Sequence, residues 1–290
     1  MIKKGFYKDL MCYDIVSGDK VLKILPGEGG KIASISAGGF EFLEQATNKK
    51  YKKLNYTGVF VDSECSGFDD MFPTVDEVET SGLIYPDHGV IARIPMRARV
   101  AGGKLKLSAK TPDLPFEWTK TVGIINNGFK IEYRIKNLSD KTLPYIYAAH
   151  LMLKGADDLR IVTPYGDSED ITYSFGEEFK ELPKNKLVGK TPSGAAYKFY
   201  YNNEISRGEI IAKYEFNELK LCYDNSVLKY LGVWINNGEF KNMYNIAAEV
   251  ASAPYDTPEK AIDAGKCSYI AGGGEVKFTM NIELFSATSE

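Results

Sequence analysis

The 290-residue sequence predicts an all-β chain, a large antiparallel β-sandwich with little helix. Three observations predict it. Polar and apolar residues alternate with a period of two, most cleanly from Phe129 to Asn137. There Phe129, Ile131, Tyr133 and Ile135 share one face, while Lys130, Glu132, Arg134 and Lys136 share the other. Turn signals separate the alternating runs, among them Gly102-Gly103, Asn126-Asn127-Gly128 and Asn236-Asn237-Gly238. Only one short helix is signalled, with Thr257 as its cap, Pro258 at its first position and Gly265 at its end.

In chain order, Val21 to Leu25 reads as a first strand, and Gly27-Glu-Gly-Gly30 as the turn after it. Lys31 to Ser36 is a second strand, and Gly38-Gly39 leads into a third, Phe40 to Leu43. Residues 44–86 show few clean alternations and read as irregular, including Cys65-Ser-Gly-Phe-Asp-Asp-Met-Phe-Pro73. Long irregular segments on a β scaffold often carry function. Met96 to Val100 and Lys104 to Leu107 form a hairpin pattern, and Phe116 to Ile125 pairs with Phe129 to Asn137. After the turn Ser139 to Thr142 comes a strand that is apolar or small on both faces. Tyr145, Tyr147, Ala149 and Leu151 lie on one side, and Ile146, Ala148, His150 and Met152 on the other. Such a strand is covered twice, or its second face lines a cleft. Tyr197 to Tyr201, Ile210 to Phe216 and Leu219 to Tyr223 follow, then the pair Leu231 to Ile235 and Tyr244 to Ala251. The last strand is Glu275 to Phe285. No linker or composition shift divides the chain, so a single domain over residues 1–290 is expected.

Hydrophobic residues make up 44% and charged residues 26%, the composition of a globular protein with a sizeable core. The net charge of -3 gives no reason to expect a nucleic-acid partner. The run Lys49, Lys50, Lys52, Lys53 is short and reads as a solvated loop or strand edge. No apolar leader follows Met1 and no stretch is long enough to span a membrane, so a cytoplasmic protein with no membrane partner is expected, monomeric or homodimeric. Cys12, Cys65, Cys222 and Cys267 are scattered without a Cys-x-x-Cys pair, which suits reduced structural thiols and gives no metal site. Gly189-Lys190-Thr191 resembles the end of a phosphate-binding loop. It lacks the required upstream glycine and is followed by Pro192, so it is set aside.

Only two histidines occur, His88 in Pro86-Asp-His-Gly-Val-Ile-Ala-Arg93 and His150 in the apolar strand. Imidazole exchanges protons near neutral pH, so both are candidates for proton transfer; the competing assignment is a hydrogen-bonded core histidine. Glu249 is a third candidate. Strand alternation places it on one face with Ala247 and Ala251, whose small side chains leave space in front of the carboxylate. The competing assignment is an exposed strand glutamate.

The order of these residues resembles the galactose mutarotase-like family, the aldose 1-epimerases and hexose-6-phosphate epimerases. Gly29-Gly-Lys-Ile-Ala-Ser-Ile35 is similar to its early strand pair, and Asp87-His-Gly-Val-Ile-Ala-Arg93 to its His-Gly-x-x-x-Arg stretch. Phe129 to His150 is similar to its central segment. Leu231-Gly-Val-Trp-Ile235 with the later Glu249 is similar to its Trp strand and catalytic glutamate. The resemblance runs from about residue 20 to 285 and rests on the ordered series. It implies a β-supersandwich with a sugar cleft, an isomerase that interconverts the α and β anomers of an aldose, and no metal or organic cofactor. In that scheme Glu249 takes the proton of the anomeric hydroxyl and His150 protonates the ring oxygen. His88 and Arg93 bind sugar oxygens. Burial alone would depress the pKa of His150, and the nearby carboxylate is expected to oppose this and hold the proton.

The chain also departs from the family pattern. Leu151-Met-Leu153 follows the histidine where Pro-Tyr-Phe is common. Where sugar-phosphate members carry an arginine before Gly-Gly-x-Pro, this chain has Asp69 and Asp70. These are candidate sugar-contacting residues that would repel a phosphate, so an unphosphorylated sugar is expected unless Arg97 or the lysines near residue 50 compensate. Asp224 is the nearest counterpart of the family's sugar-binding aspartate, or an ordinary turn residue. Trp234 either stacks on a sugar face or packs in the core. Two other functions fit the same scaffold: a non-catalytic carbohydrate-binding protein, and another carbohydrate epimerase or a lyase.

Overall fold

The computed structural model describes residues 1–165, 170–176 and 193–286; the set-aside Gly189-Lys190-Thr191 lies outside them. Among the described residues, two large antiparallel sheets face each other. The first has eleven strands. In spatial order they are Ile2–Tyr7, Leu10–Ser17, Lys20–Leu25, Lys31–Ala37, Phe68–Met71, Ala148–Lys154, Tyr244–Ala251, Tyr230–Asn237, Ala195–Tyr201 and Ile171–Phe175, with Phe40–Glu41 paired beside Lys31–Ala37. The second has eight, in the order Arg160–Val162, Glu209–Lys213, Asn217–Tyr223, Glu275–Ser286, Gly128–Asn137, Phe116–Ile125, Lys104–Lys110 and Arg97–Ala101. The one α-helix among the described residues is Pro258–Asp263, capped by Thr257, whose Oγ1 accepts from the Lys260 amide at 3.3 Å. No helix there is long and apolar enough to cross a membrane.

The alternation read from the sequence is the alternation of burial. Phe129, Ile131, Tyr133 and Ile135 are buried between the sheets, and the intervening charged residues face outward. The hairpin partner Phe116–Ile125 pairs with this strand as expected, and Gly128, read as part of the turn, opens the strand opposite Ile125. The centre of the sandwich is aromatic. Trp118, Tyr133 and Phe278 of the eight-stranded sheet meet Tyr147 and Phe72 of the other side, with ring centroids 4.7–6.0 Å apart. Burying such rings is the largest apolar contribution per residue that a sandwich can make.

The fold departs from the sequence reading at the N-terminus, inside the segment read as irregular, and at Arg160–Val162 and Ile171–Phe175, strands that were not expected. Ile2–Tyr7 and Leu10–Ser17 are strands, although neither was expected. Ile2–Tyr7 is an edge strand with Lys3 and Lys4 in it, so its hydrophobic period is weak while its hydrogen bonds are satisfied from one side. Phe68–Met71, inside the segment read as irregular, is a central strand between Lys31–Ala37 and Ala148–Lys154. Its two aspartates disguised it. Successive residues of a strand point to opposite faces, so Asp69 and Asp70 part company. Asp70 enters the core between the sheets. There the wholly buried Lys120 Nζ lies 2.7 Å from its Oδ2 and Tyr147 Oη donates to Oδ1 at 2.8 Å. Asp70 therefore cannot touch a sugar, and its charge is neutralised.

A buried ion pair is costly to break and cheap to replace whole. Asp70→Asn should lower unfolding free energy by about 3–5 kcal/mol, because Lys120 is left charged without its partner. Asp70→Asn with Lys120→Met should recover most of that loss in chemical denaturation. Additive losses in the double variant would show that the pair contributes more than its mutual neutralisation.

Candidate active site

The eleven-stranded sheet carries a cleft of about 330 Å³ on the face turned away from the sandwich core. The face is decided by the same alternation. Tyr147, Ala149, Leu151 and Leu153 point into the core, so Ala148, His150 and Met152 point the other way. Likewise Ile246, Ala248 and Val250 are core residues, and Glu249 faces the cleft. The pairings Ala148 with Ala251 and Met152 with Ala247 bracket His150 directly opposite Glu249. On the far side Glu249 is opposed by Gly232, and Gly232 by Tyr200. A Cβ at Gly232 would come within 2.7 Å of the Tyr200 ring, so the missing side chain makes room for that ring.

At the centre of the floor, His150 Nε2 lies 3.7 Å from Glu249 Oε1, too far for a hydrogen bond and close enough for one intervening proton-transfer partner. Both are buried, 5% and 1% exposed. His150 Nδ1 has no hydrogen-bond partner among the described residues. Lys198 Nζ forms ion pairs with Glu249 Oε2 at 3.2 Å and with Asp256 Oδ1 at 3.1 Å. Asp256 also accepts from Tyr200 Oη at 2.6 Å.

These neighbours set the charges. Burial, together with the positive charges of His88, Lys198 and Lys31, pushes His150 well below the ordinary imidazole value. The expectation that Glu249 would hold the proton on His150 is not met: at 3.7 Å without a hydrogen bond its attraction loses to burial. Burial pushes Glu249 up, against the opposing charge of Lys198. Burial alone would lower Lys198, but Glu249 and Asp256 outweigh it and raise it. Burial would raise Asp256, but Lys198 and the Tyr200 hydroxyl hold it below the ordinary carboxylate range.

His88 stands on the wall. Its backbone is left-handed, with φ of 55°, and its ring stacks on Phe60 with centroids 3.8 Å apart. Nδ1 and Asp87 Oδ1 are 2.6 Å apart, and the ring lies 5.5 Å from that of His150. Gly89 follows with φ of 71°, where a Cβ would meet the Phe72 carbonyl at 2.3 Å. Trp234 lines the cleft with Phe175 and Phe240, their centroids 5.4–5.8 Å apart, so it is a wall residue and not a core one.

Three candidates lie elsewhere. Arg93 does not line the cleft. Its guanidinium donates to the carbonyls of Gly89, Asn55, Tyr56, Gly58 and Asp87 at 2.5–3.2 Å. It straps together the loops that carry Phe60 and His88, and each of its three nitrogens already donates to a carbonyl. Asp69 lies on the cleft face opposite His150, but it is 3% exposed and bound to Lys31 at 2.5 Å. Asp224 holds a turn, accepting from the Ser226 amide and hydroxyl at 3.0 and 2.6 Å. The sequence reading missed Lys198, Asp256, Asp76 and Asn245, all of which line the cleft. Lys198 did leave a signal, as the one charged residue in Tyr197-Lys-Phe-Tyr-Tyr201.

The sequence matches no family model and no curated protein. Solved structures do match. One described provisionally as an aldose 1-epimerase, from Klebsiella pneumoniae, superposes with a TM-score of 0.76 at 14% identity, covering 99% of this chain and 84% of that one. A galactose mutarotase-like protein from Clostridium acetobutylicum gives 0.69 at 14%, covering 99% and 98%. A galactose mutarotase related enzyme from Lactobacillus acidophilus gives 0.67 at 13%, covering 97% and 99%. Near-complete coverage at such low identity is agreement of architecture, and it matches the strand-by-strand arrangement described above: the chain has the galactose mutarotase-like fold.

Proposed function

We propose that the protein is an aldose 1-epimerase acting on an unphosphorylated aldose. The observation that carries the reading is the opposed pair on the cleft floor, His150 and Glu249, buried and facing each other across 3.7 Å through Nε2 and Oε1. Anomer exchange needs a proton removed from O1 and one delivered to the ring oxygen in a single event. Two groups side by side on one floor suit that demand. In the proposed cycle Glu249 accepts the O1 proton and the C1–O5 bond breaks. His150 protonates the ring oxygen, C1–C2 rotates, and closure on the other face reverses both transfers. His88 and Trp234 line the walls that would hold the ring.

The case against a phosphate changes ground. Asp69 and Asp70 cannot repel it, since lysines neutralise both. The cleft itself is lined by Asp76, Asp87, Glu249 and Asp256. Of its lysines, Lys198 is held by two carboxylates and Lys241 donates to the Ser63 carbonyl. No uncommitted cation remains among the described lining residues to meet a phosphate.

Proton NMR exchange between anomers tests the reaction on glucose, galactose, pentoses and hexose 6-phosphates. Acceleration is expected on a neutral sugar, and Glu249→Gln should lower turnover by about 10²–10⁴, the worth of one positioned acid or base. Near-normal turnover in folded Glu249→Gln would overturn the assignment. Sugar binding without acceleration would favour a non-catalytic carbohydrate-binding protein instead.

The pH profile gives a second test. His150 delivers a proton only while it holds one, and burial lowers its pKa. As pH rises, kcat/KM should therefore fall, with its midpoint on the acid side of the ordinary imidazole value of about 6.5. A midpoint above 7 would show that some other group supplies the proton.

A further inference from the structure

We propose that Lys198 is a positioning residue for the pair: its ammonium, fixed between Glu249 and Asp256, aims the carboxylate and sets how readily the pair holds its proton. The inference rests on the mutarotase reading for its meaning, but its geometry stands apart from it. Lys198 reaches Glu249 Oε2 and Asp256 Oδ1 at 3.2 and 3.1 Å while nearly buried, 9% exposed. The anchor is stiff. Asp256 accepts from Tyr200 Oη at 2.6 Å, and its backbone carbonyl accepts the amides of Val75 and Asp76 at 3.0 and 2.8 Å. With Oε2 turned to Lys198, Glu249 presents Oε1 to His150.

Charged groups reach the pair from several elements, and two more on the cleft lining are already paired, Asp87 with His88 and Lys241 with the Ser63 carbonyl. Glu249 faces Lys198 and Asp256, with His150 across the ladder and His88 from the wall. His150 faces His88, Lys198 and Lys31, and its ladder neighbour Asp69 is already bound to Lys31. Asp76 and Lys260 lie beside Asp256. Lys198 therefore acts on both members in one sense. Its positive charge favours ionised Glu249 and disfavours protonated His150. Removing it should make both hold protons more readily. A lysine that merely filled space would be replaced by methionine with no such effect.

The chain has only two histidines, so a carbon–proton NMR titration of imidazole Cε1 shows two signals, which His88→Asn assigns. Relative to wild type, Lys198→Met should move the His150 midpoint upward by about one pH unit or more. Lys198→Gln keeps a donor toward Asp256 should the methionine variant not fold, and should move it the same way. Lys198→Arg should stay near wild type. A His150 midpoint within about 0.3 unit of wild type in the folded neutral variants overturns the proposal. Anomer exchange measured on the same samples separates the two readings. A His150 signal moved in the neutral variants, with wild-type protein inactive on every sugar, rejects the mutarotase reading and keeps the charge-setting role. Active protein with an unmoved signal does the reverse.

Discussion

Directly opposed residues of an antiparallel ladder share a face, and much of this molecule follows from that constraint at one place. Pairing of Ala148 with Ala251 and of Met152 with Ala247 sets His150 against Glu249. The same register turns Tyr147, Ala149 and Leu151 inward to the sandwich core. Packing and chemistry are thus alternate faces of the same strands. A one-residue slip would bury the reactive pair between the sheets and expose the aromatic core, so the site is held in place by the burial of Trp118, Tyr133 and Tyr147 on the opposite side.

Charge is managed differently on the two faces. In the core, Asp70 and Lys120 neutralise each other with Tyr147 as a further donor, and nothing is left over. In the cleft, the chain Tyr200–Asp256–Lys198–Glu249 ends at a carboxylate whose second oxygen lies 3.7 Å from the His150 imidazole, which has an unpartnered Nδ1. Buried polar groups are ordinarily satisfied. Here the atoms that face each other, His150 Nε2 and Glu249 Oε1, stand 3.7 Å apart with no hydrogen bond between them. Burial disfavours charge on both, lowering His150 and raising Glu249 from their ordinary values.

Arg93 shows how a residue can matter to a site without touching it. Its five carbonyl partners come from residues 55–58 and 87–89, the two loops that stack Phe60 on His88. A carbonyl-rich pocket that consumes every guanidinium nitrogen is invisible in sequence, because the partners are backbone atoms and carry no residue-type signature.

The sequence by itself determined most of the sheet-forming segments, the faces of the strands bearing His150 and Glu249, and the candidacy of those two residues. All of these are local consequences of a two-residue period. Tertiary structure alone decided what the other charges do. Asp69 and Asp70 read as one acidic patch, but they leave the strand on opposite faces and are claimed by Lys31 and Lys120 from separate strands. Asp224 closes a turn, and Lys198 joins Glu249 from a strand two places away in the sheet. Alternation is written in neighbouring residues. Charge pairing is settled by whichever opposite charge the fold brings within a few ångströms, across separations that no local pattern spans.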